Sequence, residues 1–191
     1  MTRTTAREIA IQLIFGLALH PEDELPMLEH FFDREYFATL AKEDPLFAEY
    51  PNKKQLRYIL TLCGGVIEKR AELDAHIEKY ARGWKLSRIS RTALAVLRCC
   101  LYELLYMPEV PAAAAINEAV ELAKGYEAPE TVSFINGILG SFMRGEKGGM
   151  PSLEDVPPQD ADADSEVVAD APAVSPAEPS PSHPDGAAAD C

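Results

Sequence analysis

Two arginines, Arg3 and Arg7, stand a helical turn apart at the start of the chain, and Gln12 and Phe15 follow one and two turns later. Guanidinium groups hold phosphate oxygens, an amide reads base edges and an aromatic ring stacks on a base. The set therefore fits a single-stranded nucleic acid. Two cations in a first helical turn oppose the helix dipole, at a cost of some tenths of a kcal/mol, roughly. A solvated helix start accounts for the same residues equally well.

Two carboxylates, Glu118 and Glu121, share a second segment and resemble a paired-carboxylate site. Carboxylates on helix surfaces are far commoner than catalytic ones. Arg98, within "AVLRCCLYELL", falls about 40° from Leu94 and about 60° from Leu101 on a helical wheel, on the buried side. A guanidinium there needs an anionic or carbonyl partner, and Glu118 or Glu121 are the candidates for a structural ion pair. Neither a nucleophile with its base nor a phosphate loop is present, and no HExxH, HxxxH, GxGxxG or GKS/GKT occurs. The histidines, His20, His30, His76 and His183, are scattered. The expectation is a binding protein with no catalytic residues, no cofactor and no metal.

The elements that place these groups are helical throughout. Residues 1–20 read as a helix, with Thr5 and Glu8 at capping-box spacing and Ile9, Leu13 and Leu17 along one side. Residues 22–43 read as a second helix, rich in aromatics. Residues 53–82 read as one long amphipathic helix containing Gly64-Gly65. "RGWKLSRIS" reads as a hinge. Ser90 caps the helix that follows, Pro111 suits a first helical position, and Pro129 opens the last helix, which ends near Arg144. The fold class is all-α: about six helices in two groups of three, with subdomains of about 1–82 and 83–146. In the last helix Val132, Ile135, Leu139 and Phe142 complete an apolar face, and Phe134 and Asn136 lie on its opposite shoulders. Asn117, on a similar shoulder of the preceding helix, is expected to bond loop backbone.

Charge is uneven along the chain. All 18 Lys and Arg lie in residues 1–147 with 21 of the 31 acids, a net of −3; residues 148–191 carry ten acids and no base, a net of −10. Any nucleic-acid site on the helical part is therefore a local basic patch. Residues 147–191, rich in Pro, Ala, Asp and Ser, read as a disordered acidic tail, either solubilising or a mimic competing for a basic RNA site. The cysteines show no zinc spacing, which suits a reduced, cytoplasmic protein, and no run reaches the roughly 18 apolar residues of a membrane span.

The blocks "REIAIQLIF", "WKLSRIS", "AVLRCCLYELLY", "VPAAAAINEAVELAKGY" and "SFINGIL" occur in an order that resembles the NusB family of bacterial transcription antitermination factors. The resemblance covers residues 3–144. It implies two packed three-helix bundles, no enzymatic activity, and binding of boxA RNA together with NusE, a small-subunit ribosomal protein. It also implies membership of the RNA polymerase antitermination complex in ribosomal RNA operons, and either a monomer or a homodimer. Carried over by motif, the RNA contacts are Arg3, Arg7, Gln12 and Phe15, then Ser133, Phe134 and Asn136. Phe15 stands where Tyr is common and Ser133 where Lys is common. The charged pair that relatives place after "SR" is Ala93-Leu94 here. The thinned cations imply weaker boxA binding by the protein alone and more reliance on NusE. Two other readings share the fold: a helical adaptor with little RNA affinity, and a stand-alone relative of an rRNA methyltransferase's N-terminal domain.

Overall fold

The computed structural model describes residues 1–146; the acidic segment expected to be disordered lies outside the described residues. Eight α-helices run in order: α1 (Arg3–Leu17), α2 (Glu24–Phe31), α3 (Arg34–Leu40), α4 (Lys53–Glu68), α5 (Arg70–Tyr80), α6 (Arg91–Tyr106), α7 (Ala112–Ala123) and α8 (Pro129–Glu146). Short 3-10 turns at Pro45–Phe47 and Leu86–Arg88 complete the path, and the described residues contain no strand. Helices α1, α2 and α4 pack on one another as one bundle, and α6, α7 and α8 as another. The bundles join where α1 and α4 lie against α6, and α5 packs on α4, α6 and α8.

Helix α6 is the hub. Ala93, Ala95, Val96, Leu97, Cys99, Cys100, Leu101 and Leu104 are all buried, so the helix is apolar around most of its circumference. Such a helix needs neighbours on every side, and α1, α4, α5, α7 and α8 supply them. Cys63, Cys99 and Cys100 are free thiols deep in this core, as small hydrophobes should be, and burial pushes all three thiols up.

Several boundaries differ from those expected. The helix read over 22–43 is two helices, because Asp33 caps α3 by accepting from the Glu35 and Tyr36 amides at 2.9 and 3.2 Å. The turn this creates lets Phe32 and Phe37 stack at 6.2 Å in an aromatic cluster with Phe31 and Phe47. The helix read over 53–82 breaks at Lys69 (φ −96°, ψ 12°), just after the weakly helical Gly64-Gly65. Gly65 also permits a close approach: a Cβ there would lie 1.9 Å from the Tyr102 ring of α6. Helix α1 starts earlier than Thr5, with Thr2 as the cap accepting from the Thr5 amide at 3.0 Å. Pro111 is the cap of α7 and not its first helical residue.

Candidate nucleic-acid interface

The two α1 arginines have opposite environments. Arg7 is only 2% exposed. Its Nε and Nη2 donate to the two carboxylate oxygens of Glu103 on α6, each at 2.8 Å, and its Nη1 donates to Glu118 on α7. The Tyr58 hydroxyl of α4 donates to the same Glu103 at 2.7 Å, and Thr4 donates to Glu118 at 3.0 Å. Burial opposes the Arg7 charge, but the Glu103 hydrogen bonds and charge outweigh it and hold the guanidinium protonated. Tyr58 is pushed up by burial and then by the charge of Glu103. This network ties four helices together, and Arg7 is not a surface cation that RNA can reach. The expectation for Arg7 is corrected on that ground.

Arg3 is exposed, with its guanidinium 4.3 Å from the centre of the Tyr58 ring. Gln12 donates to the Tyr126 hydroxyl at 3.1 Å, and that hydroxyl donates to Glu8 at 2.6 Å. Phe15, one turn after Gln12, is 37% exposed, and Tyr126, from the α7–α8 connection, is 44% exposed. Glu8, Gln12 and Phe15 recur at helical spacing, so α1 presents one face with an amide and two nearby aromatic residues.

The start of α8 carries the second set. The Ser133 hydroxyl is turned back on its own helix, donating to the Pro129 carbonyl at 2.9 Å. Asn136 is exposed. Phe134 is half-buried, and its ring centre lies 5.3 Å from that of Trp84. The structure thus joins Gln12 to Tyr126 and Phe134 to Trp84. Among the described residues, no hydrogen bond or ring contact joins the two sets. Sequence reasoning missed both aromatic partners. The signal for Trp84 was its position in a segment with four bases, "RGWKLSRISR". Tyr126 carried none beyond its place in the break before Pro129.

The ion-pair expectation is also corrected. Arg98 is paired, but with Asp74 on α5, through Nε–Oδ1 at 2.7 Å and Nη2–Oδ2 at 2.9 Å. Its side of α6 faces α5, and the carboxylates proposed for it are on α7. Glu118 serves Arg7, and Glu121 pairs with Lys124 at 2.6 Å on the surface. Asn117 is exposed and makes no side-chain hydrogen bond among the described residues, contrary to its expected bond to loop backbone. Ala93, at the position where relatives place a charged residue after "SR", is fully buried. No group of three or more His, Cys, Asp or Glu that could hold a metal occurs among the described residues, and no described helix is long and apolar enough to cross a membrane.

The chain is similar to known proteins across the whole helical body. It is 40% identical over 144 residues to the transcription antitermination protein NusB of Acetivibrio thermocellus, covering 75% of this chain and 90% of the relative. It is 41% identical over 140 residues to that of Carboxydothermus hydrogenoformans, covering 73% and 91%. The solved structure of NusB from T. maritima superposes with a TM-score of 0.63 at 27% identity, covering 76% of this chain and 92% of that one. A structure of antitermination factors NusB and NusE in complex with dsRNA shares the fold, with a TM-score of 0.58 at 22% identity over 74% and 96% of the two chains. The model of the NusB family matches residues 4–144, and the chain belongs to that family.

Proposed function

We propose that the protein is a transcription antitermination factor that binds boxA RNA together with NusE and suppresses termination in ribosomal RNA operons. The observation that carries this reading is the 40% identity to a transcription antitermination protein along nearly the whole helical body. The exposed groups suit the task. Arg3 offers a cation, Gln12 and Asn136 offer amides, and Phe15 and Phe134 offer ring faces. Ser133 contributes at most a hydroxyl already engaged by its own helix. Work within the RNA polymerase antitermination complex, in the cytoplasm, belongs to the same reading.

One observation favours the adaptor as a second reading. With Arg7 held by Glu103 and Glu118, Arg3 is the one α1 guanidinium without a carboxylate partner among the described residues. Each lost phosphate contact lowers the slope of log affinity against log salt by about 0.7 for single strands. Filter binding of a boxA RNA, with and without NusE, separates the two. The antitermination factor prefers boxA over a scrambled RNA and gains affinity with NusE. Equal binding of both RNAs under both conditions would leave only the adaptor. Sedimentation of the same samples distinguishes monomer from homodimer.

A further inference from the structure

The segment between α5 and α6 concentrates free positive charge around an exposed ring. Six described Lys and Arg side chains sit in ion pairs. Arg82, Lys85, Arg88 and Arg91 are in none, and all four are exposed. No side-chain hydrogen bond, ion pair or ring contact within the described residues holds any of them. Between them stands Trp84, 47% exposed. Gly83, at φ +78°, makes the left-handed turn that ends α5, and the Trp84 amide closes it on the Ala81 carbonyl at 2.9 Å. The indole lies at 48° to the Phe134 ring and stays about half exposed. The nearby acids at the α8 end are Glu127, which accepts from Ser90, and Glu130, one turn before Phe134. They are outnumbered by the four cations.

A half-exposed indole beside a second ring, with cations unpaired among the described residues on both sides in sequence, has the composition of a single-strand contact. The ring stacks on an unpaired base and the cations take the flanking phosphates. We propose that this connection, with Trp84 as the stacking residue and Arg82, Lys85, Arg88 and Arg91 as phosphate contacts, is an RNA-binding surface continuous with Phe134. The proposal rests on the reading that the protein binds RNA. It adds a cationic arm to a site whose α1 arm holds one arginine without a carboxylate partner among the described residues.

The chain contains a single tryptophan, so its emission reports on Trp84 alone. The experiment titrates the full chain with an unlabelled boxA RNA while following tryptophan emission, beside filter binding of the same RNA. The expected result is quenching that saturates with binding. Trp84→Ala weakens affinity about tenfold and Trp84→Phe by less, because a ring survives. Lys85→Ala with Arg88→Ala lowers the salt slope by about 1.4. RNA that binds with unchanged emission and unchanged affinity for Trp84→Ala overturns the proposal and leaves the antitermination reading intact. A Trp84 response to NusE but not to RNA gives the patch to protein and also overturns it. Absence of RNA binding with and without NusE defeats the antitermination reading and this proposal together. The emission titration uses the unaltered chain, so it decides even if a variant folds poorly.

Discussion

Arg7 and Arg88 carry the same side chain in opposite settings. Around Arg7, three other helices supply two carboxylates and a phenol, and the contacts to Glu103 are fully buried. Around Arg88, three other cations are exposed, and among the described residues no carboxylate holds any of them. A buried arginine is protonated because its partners require it, and removing a partner strands a charge. A cluster of surface cations with no carboxylate partner in the helical body does nothing for that body beyond mutual repulsion, which suits a polyanionic ligand. The number of arginines in a segment is therefore a poor guide to RNA binding. The useful quantity is the number left without a carboxylate.

The largest effect should come from the buried side. Arg7→Ala leaves Glu103 buried without its main partner and should cost about 3–5 kcal/mol in urea unfolding. A loss below about 1 kcal/mol would mean the network is a surface-like pair, and the contrast would collapse.

Tyr58→Phe comes next, removing one donor to Glu103 at a cost of about 1–3 kcal/mol. It also tests the pH dependence. The folded state holds the Tyr58 proton more tightly than the unfolded chain, where a tyrosine titrates near pH 10, roughly. Its contribution is complete below that pH and is lost as pH rises above it. The variant should lose less stability between neutral pH and about pH 11 than the parent. Tyr106, pushed up to about 12 by its hydrogen bond to Glu72, retains part of the slope in both proteins. Identical alkaline profiles would remove Tyr58 from the account.

Gly65→Ala should cost about 1–3 kcal/mol, because the Tyr102 ring must leave its place over α4. Thermal melting checks this, and an unchanged melting temperature would show that the ring swings aside freely. The smallest change in stability is expected for Arg3→Ala, within about 0.5 kcal/mol. Its effect should appear instead as a boxA salt slope reduced by about 0.7. If Arg3→Ala unfolded the protein as Arg7→Ala does, the division between structural and ligand-facing arginines on α1 would be wrong.

The sequence was most informative where periodicity carried the message. The α6 and α8 apolar faces, the Ser90 cap and the all-helical class follow from spacing alone. Breaks inside a continuing pattern were harder to see. The apolar positions of 53–82 keep helical phase through Lys69, so the kink there reflects packing of α5 on α6 and α8. Ion pairing was least legible. Helical phase puts Arg98 on the buried side of its helix, but which helix faces it depends on the three-dimensional arrangement, and nothing local connects it to Asp74. The position of Arg7 in the first turns of α1 suggests surface charge, yet the side chain is buried. Its neighbours Ala6, Ile9 and Ala10 are all buried, which is a sign that α1 has little exposed surface at that point. Periodicity puts Phe134 on the shoulder of its helix, but a ring 50 residues earlier in the chain has no local signal to connect it.

The bond between Arg7 and Glu103 spans 96 residues of chain. During synthesis the first helix therefore emerges long before its anion does. At about 5–20 residues per second, the ribosome needs roughly 5–20 s to deliver that partner. Through this interval the apolar side of the first helix has only α2 and α4 to rest on, and the guanidinium that will be buried remains in water. The N-terminal segment should therefore stay sensitive to protease on nascent chains arrested before residue 103 emerges, and become protected once α6 can dock.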